Sequence, residues 1–409
     1  MSKAYAAAFA CALCMSLGLA PLFMGTFPLF LQPVSQELGW GAAIYPQAAL
    51  VAGMSGALLG PIIGQLIDRF GVRPMMFVGL LGWAASLVGM SFLDGSYLAM
   101  LIMAVFMGIT SAICGPISFA KIVAGWFDRN RGLALGIVLS AAPAIATAIM
   151  VVVARSTIAE FGWRFSYRAF AAGVVLLGIP TAYFLMHEAR VSDRAGTPGA
   201  ADLITGATAR EAVRTRDFWM VMLVTGLVCG VVQAMVAHFV AWSAERGISD
   251  VSATVALSAF SLVGPAGPLL AGALADRVRG PKLLVIFYAL PLIGLALLTG
   301  VGASAVVPAM VLSGIGFQAS TGMLPYLLTR YFGVRYASQL FGMGLGVVTL
   351  SMGIGPVLVG LARDQFHTFA PITPVLFVLL LVAIATTLMF RGYEANGSVQ
   401  VQSKVPTNA

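Results

Sequence analysis

A train of apolar runs, each about twenty residues or longer, constrains this chain more than any other feature. Marking them gives twelve: 5–30, 43–67, 74–93, 97–124, 132–154 and 166–186, then 217–243, 251–275, 282–302, 305–330, 338–361 and 371–391. A helix rising about 1.5 Å per residue crosses the hydrocarbon core of a bilayer in that length. Of 409 residues 60% are hydrophobic and 9% charged, where a soluble domain carries about 25% charged residues. Too little polar surface remains to cover a globule in water. The 46 glycines suit close helix approach, and the 20 prolines are tolerated where neighbouring helices and local 3₁₀ or π turns re-satisfy the backbone. The expected fold class is an all-α membrane protein with twelve transmembrane helices.

A polar stretch, 187–216, separates the sixth run from the seventh and holds Arg190, Arg194, Arg210, Arg214 and Arg216. The expected layout is an N-terminal six-helix bundle over 1–186, a cytoplasmic central loop over 187–216, a C-terminal six-helix bundle over 217–391 and a disordered tail over 392–409. Lysine and arginine mark the cytoplasmic side. With the amino terminus inside, the 23 bases divide into 18 cytoplasmic and 5 opposite, the five being Arg155, Arg164, Arg168, Arg246 and Arg363. Both termini are therefore expected in the cytoplasm. The first run, after Lys3, is longer than a signal-peptide core and reads as a retained span.

Two short basic turns stand at equivalent places in the halves. One is Gly64-Gln65-Leu66-Ile67-Asp68-Arg69-Phe70-Gly71-Val72-Arg73-Pro74, after span 2. The other, Gly272-Ala273-Leu274-Ala275-Asp276-Arg277-Val278-Arg279-Gly280-Pro281-Lys282, follows span 8. Six plus six spans, a basic central loop and these paired turns resemble the major facilitator superfamily across essentially the whole chain. That resemblance implies two bundles around a central cavity, rocking about a midplane site. It also implies a gating role for Asp68, Arg69, Arg73, Asp276 and Arg277, a carboxylate meeting the positive end of a helix in one state and releasing it in the other. Read without it, the same bases simply hold these loops inside.

Further segments narrow the likeness. Trp126-Phe127-Asp128-Arg129-Asn130-Arg131-Gly132-Leu133-Ala134-Leu135-Gly136 leads from span 4 into span 5, echoed loosely by Tyr331-Phe332-Gly333-Val334-Arg335-Tyr336. Glu37-Leu38-Gly39-Trp40 precedes span 2. Together they resemble the monocarboxylate porters and the oxalate/formate antiporter group. That implies transport of small organic anions, often with a proton or in exchange for another anion. Relatives of that group commonly hold a base in span 8 and sometimes in span 11, whereas here span 8 has no charge before Asp276 and span 11 has none between Ser338 and Leu361.

The polar groups left within the spans are the binding candidates, because such groups are costly in lipid. They are Gln318, Gln47, Gln233, Tyr326, Thr110 and Ser111, with Phe27 as a candidate aromatic wall. Gln318 stands first, as an amide at mid-depth needs a partner. Each can instead make an interhelical hydrogen bond, worth about 0.6–2 kcal/mol. His238 can carry a coupling proton near neutral pH, or bond a backbone carbonyl. Lys121 and Arg155, near span ends, can receive an anion or merely snorkel to water. Pro143, Pro265 and Pro268 mark expected bends.

The reading that follows is a proton-coupled importer of a monocarboxylate or aromatic acid in the plasma (inner) membrane, working as a monomer. Its partners are the solute, protons and the bilayer. A transporter of the same fold for a neutral or cationic hydrophobic solute, or a non-transporting sensor, are the alternatives. No nucleic acid is expected, since the bases form short clusters and not one extended face. No enzyme, metal or cofactor is expected either: no catalytic or metal-ligating constellation falls at membrane depth. Cys11-x-x-Cys14 has redox spacing but lies inside the first span, where small-residue packing is the simpler role.

Overall fold

Apolar runs of this length satisfy their backbone internally only by winding into helices. The structure, a computed structural model, describes residues 3–127, 131–186, 208–277, 280–333 and 337–390, and no β-strand occurs among them. The Asp128–Asn130 turn, most of the central polar stretch, the tail, and the side chains of Asp68, Lys121 and Asp276 lie outside the described residues.

In the first half α1 (Lys3–Ser16) passes through a π turn at Ala20–Met24 into α2 (Phe27–Leu38). Then come α3 (Ile44–Phe70), α4 (Val72–Met90), α5 (Tyr97–Ile113), α6 (Pro116–Trp126), α7 (Arg131–Gly136), α8 (Ala142–Gly173) and α9 (Ile179–Leu185). The second half holds α10 (Ala209–Ala212), α11 (Arg216–Ala237), α12 (Phe239–Glu245), α13 (Asp250–Val263), α14 (Ala266–Arg277), α15 (Leu284–Gly300), α16 (Val306–Phe332), α17 (Ala337–Phe366) and α18 (Ile372–Leu388). Among the described residues, 7 helical stretches are long and apolar enough to cross a membrane.

Helix ends follow local chemistry. Ser96, Thr215 and Ser249 accept the N–H three residues on, capping α5, α11 and α13. Gly71, at φ 85°, ends α3 in a backbone state that only glycine enters cheaply. Two connections differ from the apolar pattern. Residues 155–165, polar enough to suggest a loop, are helical except at Gly162, where φ 82° and ψ 167° divide α8 in two. Ser166 and Thr157 bond each other across that break at 2.8 Å. Helix α2 runs on to Leu38 and ends at Gly39 in the left-handed region, and near that end Glu37 accepts from the Trp163 indole and the Arg164 guanidinium.

Packing repeats between the halves. In the first, a Cβ at Gly108 would stand 2.1 Å from Ala52 O, so α5 crosses α3 backbone to backbone. In the second, a Cβ at Gly314 of α16 would stand 2.6 Å from Phe260 O of α13. Helices α11 and α17 use the same device, with Gly226 and Gly230 against Ser351 and Gly355, the small-x-x-x-small spacing that suits close crossings in lipid. One buried apolar cluster gathers residues from Ala7 to Met186 plus Ala237, and another gathers Ala212 to Phe390 plus Val151.

Candidate functional site

The two clusters meet along helix pairs, α3 beside α17 and α8 beside α13, with α2 touching α11 and α12. Along the first pair the fit changes from one end to the other. A Cβ at Gly360 would lie 2.7 Å from Ala42 O, one at Gly353 2.3 Å from Leu50 Cδ1, and one at Gly53 2.9 Å from Thr349 Cγ2. Residues 360, 353, 349, 346 and 342 share one face of α17 by their three-, four- and seven-residue spacing. Yet at Gly346 and Gly342, and at Gly60 on the matching face of α3, a Cβ would meet nothing within 4 Å. On the second pair Ser258 Oγ donates to Ala148 O at 3.1 Å and Val151 is wholly buried; further on, in α14, a Cβ at Gly272 would meet nothing within 4 Å. The halves touch at the end holding Ala42 and Asp364, and part toward the end holding Arg69 and Arg277.

The candidates distribute over this frame. Gln318, half-buried on α16, lies against the break between α13 and α14: a Cβ at Gly264 would be 3.1 Å from its Nε2. Pro265 supplies no N–H there, and Gly264 and Gly267 close the turn by donating to Ser261 O and Gly264 O. Thr321 Oγ1 donates to Gln318 O at 3.1 Å. Gln233 is half-buried on the α11 face that also carries Gly226 and Gly230, the face that packs on α17. Tyr326, further along α16, has the Arg330 guanidinium over its ring at 5.3 Å. These three come from two helices that pack together, α11 and α16.

The others are placed elsewhere. Thr110 donates to Phe106 O and Ser111 to Gly108 O, bonds within their own helix. Gln47 donates to Ala43 O and accepts the Tyr97 hydroxyl, at the closed end. Phe27 is 3% exposed and stacks on Tyr45 with ring centroids 4.8 Å apart, inside the first half's core. Arg155 follows Ala148 and Val151 on the face of α8 toward α13 and is half-buried. Arg73 donates to Tyr183 O, tying α4 to α9, while Arg69 and Arg277 are exposed.

His238, 2% exposed, sits at the break between α11 and α12. Its Nε2 pairs with Pro356 O of α17 at 2.9 Å. Its Nδ1 has no partner among the described residues, and the ring borders a cavity of about 30 Å³ with Trp242, Phe369 and Thr373. A wider apolar groove of about 540 Å³ runs between α11, α17 and α18 from Trp219 to Phe366. No candidate residue lines it, and its Leu358 and Val375 are among the most exposed apolar side chains of that flank.

Two arrangements escaped the sequence. Tyr45 and Tyr167, wholly buried, bond each other hydroxyl to hydroxyl. Asp364, in the last turn of α17, reaches across the halves to the Ala42 and Ala43 N–H groups. Glycines at 41 and 360 were the one hint, since close approach needs them.

The profile of the Major Facilitator Superfamily matches residues 9–356. The chain is 22% identical over 369 residues to the uncharacterised transporter YcxA of Bacillus subtilis, covering 82% of this chain and 86% of that one. It is 26% identical over 369 residues to monocarboxylate transporter 3 of Rattus norvegicus, covering 86% and 73%. Among solved structures, a bacterial homologue of the human lysosomal transporter Spinster, inward-facing and unoccupied, superposes with a TM-score of 0.75 at 15% identity over 99% of this chain and 100% of that one. A point mutant of the nucleoside transporter NupG gives 0.76 at 13%, covering 95% and 100%. Those two likenesses are of fold.

Proposed function

The chain belongs to the Major Facilitator Superfamily, and from that premise we propose that it carries a small organic anion, a monocarboxylate or aromatic acid, with protons by alternating access. The observation that carries the solute class is the match to a monocarboxylate transporter along 86% of this chain. On this reading there are twelve crossings in two six-helix bundles, over 1–186 and 217–391, with both termini cytoplasmic in the plasma membrane. The end where the seam parts is then the cytoplasmic one. Gln318, beside the discontinuous span 8, and Gln233 offer amides to a carboxylate, and broken helices are where such sites are built. Arg155 and Lys121 serve the approaches, and His238 holds the coupling proton. Asp68, Arg69, Arg73, Asp276 and Arg277 gate the parted end.

One observation favours a second reading, a neutral or cationic hydrophobic solute. Residues 251–275 and 337–362 contain no ionised side chain, although both line the seam. The test for both is uptake of labelled mono- and dicarboxylates into liposomes, with and without an inward proton gradient. Gradient-driven uptake of one acid, lost in Gln318→Ala and uncoupled from pH in His238→Ala, is the expected outcome. Uptake of no acid under any gradient, with uptake of an amine or neutral aromatic, replaces the first reading with the second.

A further inference from the structure

The last turn of α17 carries two adjacent residues of opposite charge that serve different halves. Arg363 stays with its own: Nε lies 2.8 Å from Glu245 Oε1 at the end of α12, and the guanidinium sits 5.4 Å above the Phe369 ring. Glu245 also accepts the Phe369 N–H at 3.1 Å. Asp364 instead reaches the first half, where Oδ1 accepts the Ala42 N–H at 2.7 Å and Oδ2 the Ala43 N–H at 3.2 Å. Those N–H groups stand at the start of α3, whose N-cap, Ala43, has no side chain able to cap it. A helix start presents unpaired donors and the positive end of the dipole, and a carboxylate makes the stronger, charge-assisted kind of hydrogen bond there. The approach is tight on both sides. A Cβ at Gly41 would lie 2.5 Å from Asp364 Oδ2, and one at Gly360 2.7 Å from Ala42 O and Ala43 Cα.

We propose that Asp364 is the latch of the closed end, a carboxylate from α17 that caps α3 across the halves and must let go before that end can open. The inference rests on the alternating-access reading above. Pairing Arg363 with Glu245 is part of the device, because it keeps the neighbouring base from neutralising Asp364. By sequence, Asp68 stands at the far end of the same helix that Asp364 caps.

The test is a distance measurement on the full chain in lipid nanodiscs, without any solute. Spin labels at Glu160→Cys and Ala370→Cys, exposed positions of opposite halves near the closed end, report its opening; the native cysteines are buried. Asp364→Ala is expected to raise the population with the longer label distance about ten-fold relative to the shorter. Gly41→Ala, which keeps the carboxylate but occupies its place, is expected to do the same. An unchanged distance distribution in both variants overturns the latch, whether or not the melting temperature falls. Since no solute is used, a shift here together with a failed uptake panel refutes only the anion reading.

Discussion

A hydroxyl buried in an apolar bundle needs a partner, and Tyr45 and Tyr167 use each other. Phe27 stacks on Tyr45 with the ring planes 7° apart, and Phe30 lies 4.3 Å from Tyr167, so neither hydroxyl can turn to water. Tyr45→Phe strands the Tyr167 hydroxyl and is expected to cost about 1–3 kcal/mol, seen as a lower melting temperature in detergent. The double variant Tyr45→Phe/Tyr167→Phe removes both polar atoms and is expected to recover most of that loss. Equal losses in single and double variants would mean the pair contributes only bulk. At this scale the sequence tells which spans hold polar atoms but not whom they meet. Thr110 and Ser111 read as cavity groups, yet their hydroxyls go to carbonyls of their own helix. Asp364 and Ala42 are 322 residues apart, and no local pattern announces such a contact.

Breaks within helices were partly legible because proline removes a donor wherever it stands. Pro143 follows a π turn at Ile137–Ala141, and Pro265 sits between α13 and α14, as their positions predicted. The interruption at His238 has no proline and was not legible; there the ring spans to Pro356 O of α17 while the backbone leaves helical geometry. By contrast α4 and α18, which have no interior proline, run unbroken, and so does α15 in spite of Pro291. The break that matters most for the proposed site is the one under Gln318. Gly264→Ala would put a methyl 3.1 Å from the Gln318 amide and is expected to reduce uptake as strongly as Gln318→Ala, by about ten-fold or more, with the fold intact by melting temperature. Gly173→Ala, with nothing within 4 Å of the new carbon, should transport normally. Equal uptake in the two glycine variants would separate the break from the site.

For the whole molecule, each half of the sequence repeats its turn and its apolar spacing, but neither repeat tells the state. Along α17, Gly353 and Gly360 press on the other half while Gly342 and Gly346 face open space, and the same residue type at the same helical spacing serves both. A sequence encodes the surfaces that meet in every state and leaves their present separation to the balance between states. The open glycines therefore carry a prediction that the closed ones do not. Gly353→Leu would collide with Leu50, already 2.3 Å from the Cβ position, and should destabilise the conformation seen here. At Gly60 and Gly346 a Cβ would meet nothing within 4 Å, and replacing a helical glycine gains about 0.5–1 kcal/mol, so the melting temperatures of Gly60→Leu and Gly346→Leu should hold or rise. If α3 and α17 must approach at that end during the cycle, the same leucines prop the seam apart. Uptake should then fall about ten-fold or more while the Glu160/Ala370 label pair keeps its short distance. Uptake at the unsubstituted rate in both would mean that α3 and α17 do not close over these glycines, and the rocking motion would have to be sought along α8 and α13 instead.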